Sequence, residues 1–234
     1  MPRGSLVPNT PTVPTFSAIK TAQALNFFLK ESADDSKSRD GKKYLKLIKL
    51  LWAADRFSLR NFGTELTEDR YAALTYGPVA SSTYNLIRAC KPNEVPDPKW
   101  TSIVDAQWWK EHFETRDYDV AIISDPGTDH LSKADILMLE KAYEHFRSKG
   151  AFEAACDISH VYPEWTRAFV PNSEKKSFRI QTIDFFDDPE NQPDEYFQVD
   201  PEVLKAAREH FVERNALREF ITQPTQDTRE DATA

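Results

Sequence analysis

Few residues in this chain have the chemistry to make or break bonds. Cys156 and His160 stand four apart. On a helix that spacing puts a thiol and an imidazole on one face, as two zinc ligands or as a nucleophile and its base. Two ligands do not close a tetrahedral site, and no second pair with ligand spacing follows among His112, His130, His145 and His210. A Cys–His dyad also needs surroundings that lower the thiol pKa; a buried Cys beside a capping His is the plainer reading. No Ser sits in a G-x-S-x-G elbow. The six glycines, at 4, 41, 63, 77, 127 and 150, give neither G-x-G-x-x-G nor G-x-x-x-x-G-K. The acid pairs Asp34-Asp35 and Asp187-Asp188 fall in polar, loop-like stretches and read as solvated surface. No catalytic residue, cofactor or metal is therefore expected, and a Cys156/His160 hydrolase stands as the enzyme alternative.

Binding is better represented than catalysis. Aromatic residues make up 12% of 234 residues, including Trp52, Trp100, Trp108, Trp109 and Trp165. Core filling accounts for most of them, but Trp and Tyr dominate interface hot spots, and the Trp108-Trp109 pair is a candidate anchor. The net charge of −8 is uneven. Residues 184–234 carry 14 acids against 5 bases, whereas residues 1–183 carry 24 against 25. A run from Asp184 to Asp200 without Lys or Arg repels a phosphate backbone and attracts basic partners, so DNA is not an expected partner. Tyr196, Phe197 and Val199 lie inside that run, more apolar than a solvating tail needs. Asp187, Asp188, Asp194, Glu195, Tyr196 and Phe197 are the candidate contacts for a basic partner. No apolar run approaches the ~18 residues of a membrane span. Two cysteines and an N-terminus without a charged-then-apolar leader fit a reducing cytoplasm.

The elements that must position these groups are mostly helices. Four prolines in residues 1–14 mark a flexible arm ending at about 16, and residues 223–234 read as a disordered tail. Apolar residues recur at helical spacing over Ser17–Lys30. The Lys43–Phe57 segment is apolar nearly all round, which marks a helix at the centre of a domain. Short strands are expected at Glu65–Leu66 and Tyr71–Thr75, a turn at Gly77-Pro78, and a helix capped by Ser81 or Ser82 running to Ala89. Asp105–Glu114 reads as a short helix and Tyr118–Ile123 as a strand. Ser132-x-x-Asp135 has the form of a capping box, and Ala151–His160 is helical. Phe178–Ile183 alternates as a strand does, alone or paired with 118–123. Asp200-Pro201 opens a last helix to Ile221. The fold class is mainly α (α+β): a compact multi-helix domain around a central apolar helix with a few short strands. The divisions are the arm 1–16, a domain over 17–175, an acidic extension with a strand and a helix over 176–222, and the tail.

One ordered series of motifs is much more specific. It contains Lys49-Leu50-Leu51 with Ala54-Asp55, then Gly63, Leu66-Thr67, Asp69-Arg70-Tyr71, and Tyr76-Gly77-Pro78-Val79 with Ser81 and Tyr84. The series resembles the Panacea domain, the family of SocA-like antitoxins and phage-associated proteins, and Leu131–Asp135 and Pro163-x-Trp165 resemble its second half. The likeness spans about 17–170. Ala80 stands where the family often has Pro, and Trp52-Ala53 where it often has Tyr-Phe.

The resemblance implies an antitoxin that binds and neutralises a toxin encoded beside it, in keeping with phage defence. The family's toxins include enzymes that attack tRNA, so a basic, RNA-targeting partner suits the acidic stretch. One member delivers its toxin to a protease, which makes a proteolytic adaptor the alternative. Within the motif, Asp55 is costly to bury alone. Arg56, or Arg70 arriving across the fold as a bidentate partner, would match it, with Tyr71, Tyr76 and Tyr84 bringing hydroxyls nearby. Asp55, Arg56, Tyr71, Gly77 and Tyr84 are thus assigned to a fold-fixing network, and Arg70, Tyr76 and Pro78 to partner recognition. Reversing the charges of Asp187, Asp188, Asp194 and Glu195 is expected to weaken neutralisation without unfolding.

Overall fold

The apolar run after Gly41 forms the axle of the molecule. In a computed structural model, which describes residues 16–222, helix α2 spans Tyr44–Phe62 and is buried from Lys46 to Arg60. It ends at Gly63, whose left-handed φ of 72° lets its N–H reach Leu59 O. A Cβ at Gly63 would strike the carbonyl of Ala207, so a side chain there would push the last helix off the axle.

Three helices pack around α2. α1 (Ala18–Asp34) is capped by Ser17, and α5 (Lys133–Phe146) begins with the expected capping box, in which Ser132 and Asp135 bond reciprocally. α7 (Pro201–Thr222) starts at the Asp200 cap, whose carboxylate takes Glu202 N–H at 2.9 Å. Between these elements Trp52, Phe57, Phe146, Tyr162 and Phe197 form an aromatic knot, with ring centroids 4.6–6.4 Å apart.

Two small sheets complete the fold. Strands β1 (Tyr71–Leu74), β2 (Gly77–Ala80) and β5 (Phe178–Arg179) lie antiparallel in the order β2-β1-β5. β2 leads into α3 (Ser81–Ala89). α4 (Ile103–His112), capped by Ser102, leads into a hairpin of β3 (Phe113–Arg116) and β4 (Asp119–Ile122). A wide π turn at Glu153–Ile158, 3-10 turns at Ser159–Val161 and Thr182–Phe186, and α6 (Pro163–Thr166) fill the remainder. The protein is mainly α with a few short strands, as expected.

Several local expectations are corrected. The hairpin turn is Thr75-Tyr76; Gly77 and Pro78 belong to β2, an edge strand that tolerates proline. Glu65–Leu66 is not a strand, because Glu65 is held by Arg214 of α7. Neither Ser81 nor Ser82 caps α3. The carboxylate of Asp69 accepts from Ser82 N–H at 2.9 Å and Thr83 N–H at 2.8 Å instead. The 118–123 strand pairs with β3, and 178–179 pairs with β1. Residues 153–158 wind as a π turn rather than an α-helix, and α1 runs one turn further than its apolar stripe, which carries Asp34 into the helix. Phe16 packs against the core; the rest of the arm and the tail from 223 lie outside the described residues. Among the described residues no helix is long and apolar enough to cross a membrane.

Candidate partner-binding site

Helix α2 carries charged side chains into the core, and each is met there by a different segment. Lys46 donates to the carbonyls of Phe146 and Lys149, where α5 ends, and burial pulls its pKa down to about 8. Lys49, fully buried, donates to Pro78 O at 2.8 Å. Asp55 accepts from Thr67 N–H (2.8 Å), the Thr67 hydroxyl (2.5 Å) and the Tyr71 hydroxyl (2.7 Å). Burial outweighs these donors and raises the Asp55 carboxyl to about 7. Arg56 pairs with Glu164 at 2.6 Å, both wholly buried, and Trp52 donates to the second oxygen of that carboxylate. Arg60 donates to Phe197 O (3.0 Å), Phe186 O (2.7 Å) and Asp188 (2.6 Å).

Asp55 and Tyr71 are joined by a hydrogen bond, while the other partners differ from expectation. Arg56 turns to Glu164, and exposed Arg70 lies over the Trp100 ring. Hydroxyls from the loop after Gly63 meet Asp55 sooner than a cation from across the fold, since Thr67 is only twelve residues on. Tyr76 and Tyr84 pack elsewhere. Gly77 is structural in a second sense: its φ is 83°, and a Cβ there would collide with Ser159 Oγ and sit 2.6 Å from Lys49 Nζ.

The acidic extension is folded onto its own body. Asp194 is buried and accepts from the Tyr162 hydroxyl and the Tyr196 and Phe197 N–H groups. Phe197 is wholly buried in the aromatic knot, and half-buried Tyr196 packs on Phe146. Asp187 pairs with Arg167 and Arg208, Asp188 with Arg60; Glu195 is exposed. Reversing Asp194 would break the fold, which corrects the expectation that the four reversals spare folding. Trp109 is likewise a core residue, its indole N–H donating to Ala18 O at 3.0 Å. Trp108 is half-buried and stacks on His112.

The exposed aromatic residues gather elsewhere. A groove of about 580 Å³ opens between the start of α2, the β1–β2 hairpin, the β3–β4 turn and residues 151–152. Buried Ile48 and Val79 are among its lining residues. Tyr44 packs on Tyr84 (6.1 Å) and Tyr118 (5.8 Å), and Tyr76 stands edge-on to Phe152 at 5.6 Å. Tyr76 is 51% exposed, and Tyr118 and Phe152 are each 63% exposed. Tyr71, Tyr143 and Tyr162 each donate their hydroxyl to a protein acceptor. The hydroxyls of Tyr44, Tyr76, Tyr84 and Tyr118 make no such bond among the described residues. Open aromatic surface with free donors is what a docking site requires. Of the expected partner residues, the groove takes Tyr76 and, from the assigned network, Tyr84; Pro78 is buried behind it. Tyr44, Tyr118 and Phe152 come from outside the motif and were not anticipated. Tyr118 had a signal in being aromatic beside a turn residue, Asp117, but nothing joined it to Phe152 in sequence.

Cys156 and His160 make no hydrogen bond to one another. Burial raises the Cys156 thiol, and His160 lies flat on Trp165 at 3.8 Å, its pKa pulled down to about 4 by burial. Among the described residues no group of three or more His, Cys, Asp or Glu side chains could hold a metal ion.

A family model described as "Antitoxin SocA-like, Panacea domain" covers residues 47–166. The chain belongs to this family, and its role is related to toxin–antitoxin systems. No curated protein and no solved structure matches it.

Proposed function

We propose that this protein is the antitoxin of a toxin–antitoxin pair, acting in the cytoplasm, and that it neutralises its toxin non-enzymatically by direct contact through the tyrosine groove. The observation that carries this reading is the placement of the family's Tyr76 and Tyr84 on an open aromatic surface. Exposed Tyr76 is free for a partner to use, and half-buried Tyr84 supports it from the core side. Arg70, whose guanidinium lies over the Trp100 ring just before β1, extends the candidate surface. The net charge of −8 favours a basic toxin, such as an RNA-targeting enzyme.

The test is growth of cells expressing the neighbouring open reading frame with and without this chain. Toxicity relieved by co-expression supports neutralisation, and loss of relief with Tyr76→Ala/Phe152→Ala supports the groove. A neighbour that is not toxic, or is not relieved, removes the antitoxin reading. A shortened toxin half-life in the presence of this chain would mark an adaptor to a protease instead of a blocker.

A further inference from the structure

The last helix, α7, turns its arginines inward and its glutamates outward. Arg208 pairs with Asp187, Arg214 with Glu65 and Glu68, and Arg218 with Glu68. These acids belong to the acidic extension and to the loop after Gly63, so the arginines are spent on holding α7 to the body. Glu202, Glu209, Glu213 and Glu219 are exposed and make no ion pair among the described residues. The same outer side carries apolar residues that a solvated helix does not need. Val212, Ala216 and Phe220 follow one another at four-residue spacing, and Leu217 and Ile221 form the next row, so the five share one side of the helix. Val212 is 53% exposed, Leu217 58% and Phe220 76%. Ala207 and Phe211, which pack into the core, point the other way. Glu213 falls within the apolar stripe, Glu209 one turn ahead of it and Glu219 along its edge.

We propose that the outer face of α7 is a docking site for a basic amphipathic helix of another protein. The charges select that occupant. A nucleic acid or an anionic membrane surface would be repelled by the unpaired glutamates. A second copy would set those glutamates against their own kind, since Lys205 is the only lysine on the helix. Residues 223–234 contain no apolar side chain beyond Ala and Pro, so their sequence offers no match for the stripe. A helix with Leu or Ile at three- and four-residue spacing, flanked by Lys or Arg, answers both the apolar rows and the acids. Burial of the apolar rows supplies the affinity, and the glutamates set the orientation and speed the encounter. The face is separate from the tyrosine groove: α7 meets the C-terminal end of α2 at Gly63, whereas the groove opens at the start of α2. Docking here therefore goes beyond the neutralisation reading and does not rest on it.

The full chain is titrated with two fluorescently labelled helical peptides, one built of Leu and Lys with its leucines on one side, the other identical but with Glu for every Lys. By fluorescence anisotropy the Leu/Lys peptide should bind and the Leu/Glu peptide should not. Glu213→Lys/Phe220→Ser should weaken binding of the Leu/Lys peptide at least tenfold. Glu111→Lys/Val104→Ser makes an equal change on the exposed side of α4 and should leave binding unchanged. Tyr76→Ala/Phe152→Ala in the groove should leave it unchanged as well. If Glu213→Lys/Phe220→Ser lowers the urea midpoint, Glu209→Lys/Leu217→Ser on the same face takes its place. No binding of the Leu/Lys peptide, equal binding of the two peptides, or equal losses in the α7 and α4 variants would overturn the proposal. So would loss of binding in the groove variant, which would put the peptide on the tyrosines. A dimer in sedimentation that the α7 variant dissolves would give the face to a second copy and overturn it too.

Discussion

The two ends of α2 treat polar groups in opposite ways. Toward its C-terminus, Arg56 and Arg60 are sealed in the core, and their guanidinium groups bind Glu164, Asp188 and three backbone carbonyls. At its N-terminus, Tyr44 joins a groove of tyrosines whose hydroxyls bind nothing among the described residues. A buried charge left unmatched costs several kcal/mol, so the first end must be complete within the chain. An exposed hydroxyl keeps its water and can wait for another molecule. Internal completion thus marks the part of the molecule that holds the fold, and incompleteness the part that the proposed partner would use.

That contrast can be broken from its strongest side first. Arg60→Met keeps the volume but removes the donors from Phe186 O, Phe197 O and Asp188; it should cost about 3–5 kcal/mol in urea unfolding. A loss below about 1 kcal/mol would mean that Phe197 packing alone holds the extension. Asp69→Ala removes the borrowed cap of α3 and should cost about 2 kcal/mol. If stability is unchanged, water must be replacing the carboxylate. The groove should behave the other way round. Tyr76→Ala/Phe152→Ala should leave stability within about 0.5 kcal/mol, as exposed substitutions do, while weakening toxin binding at least tenfold, or about 1.4 kcal/mol, in calorimetric titration. A melting loss matching that of Asp69→Ala would make the groove part of the fold.

The smallest expected effect is in pH dependence. His160 has its pKa lowered to about 4, so between about 6.5 and 4 the unfolded chain takes a proton that the native protein refuses. Its contribution to stability is therefore present above about 6.5 and lost as pH falls to 4. Asp55, raised to about 7, has the opposite sign and adds stability as pH falls from 7 toward 4. His160→Phe keeps a ring on Trp165 and should make the protein relatively more stable at pH 4.5 than at pH 7, by chemical denaturation. An unchanged pH profile would show that His160 titrates as an exposed imidazole.

How much was readable in advance follows the same division. The central helix was visible because residues 44–57 are apolar on every side, and the caps at Ser132 and Asp200 because their partners are two or three residues away. The partners of Arg56 and Arg60 were not, since they lie 108 to 137 residues on. A signal existed: two guanidiniums one turn apart on a buried helix demand acceptors, and the run from Asp184 to Asp200 is acidic without a base. Those acids were read outward, toward another protein, because sequence gives no sign that Phe197 enters the core and carries them in. The groove was half legible. Tyr76 was marked by its motif, whereas Tyr118 and Phe152 reach it only through the β3–β4 turn and the segment after Lys149.

The Arg60 clamp also bears on how long a molecule survives. Its acceptors lie more than 120 residues after it, so a nascent protein stopped before residue 186 holds two guanidiniums with most of their ligands missing. Such a chain lacks the extension that closes the C-terminal half of α2 and is more open to proteases there. A single cut between Asp188 and Asp194 in the finished protein would release the same restraint from the other side. The exposed acidic strap is then the natural place for turnover to begin, and the groove at the far end of α2 would be lost with the core that supports it.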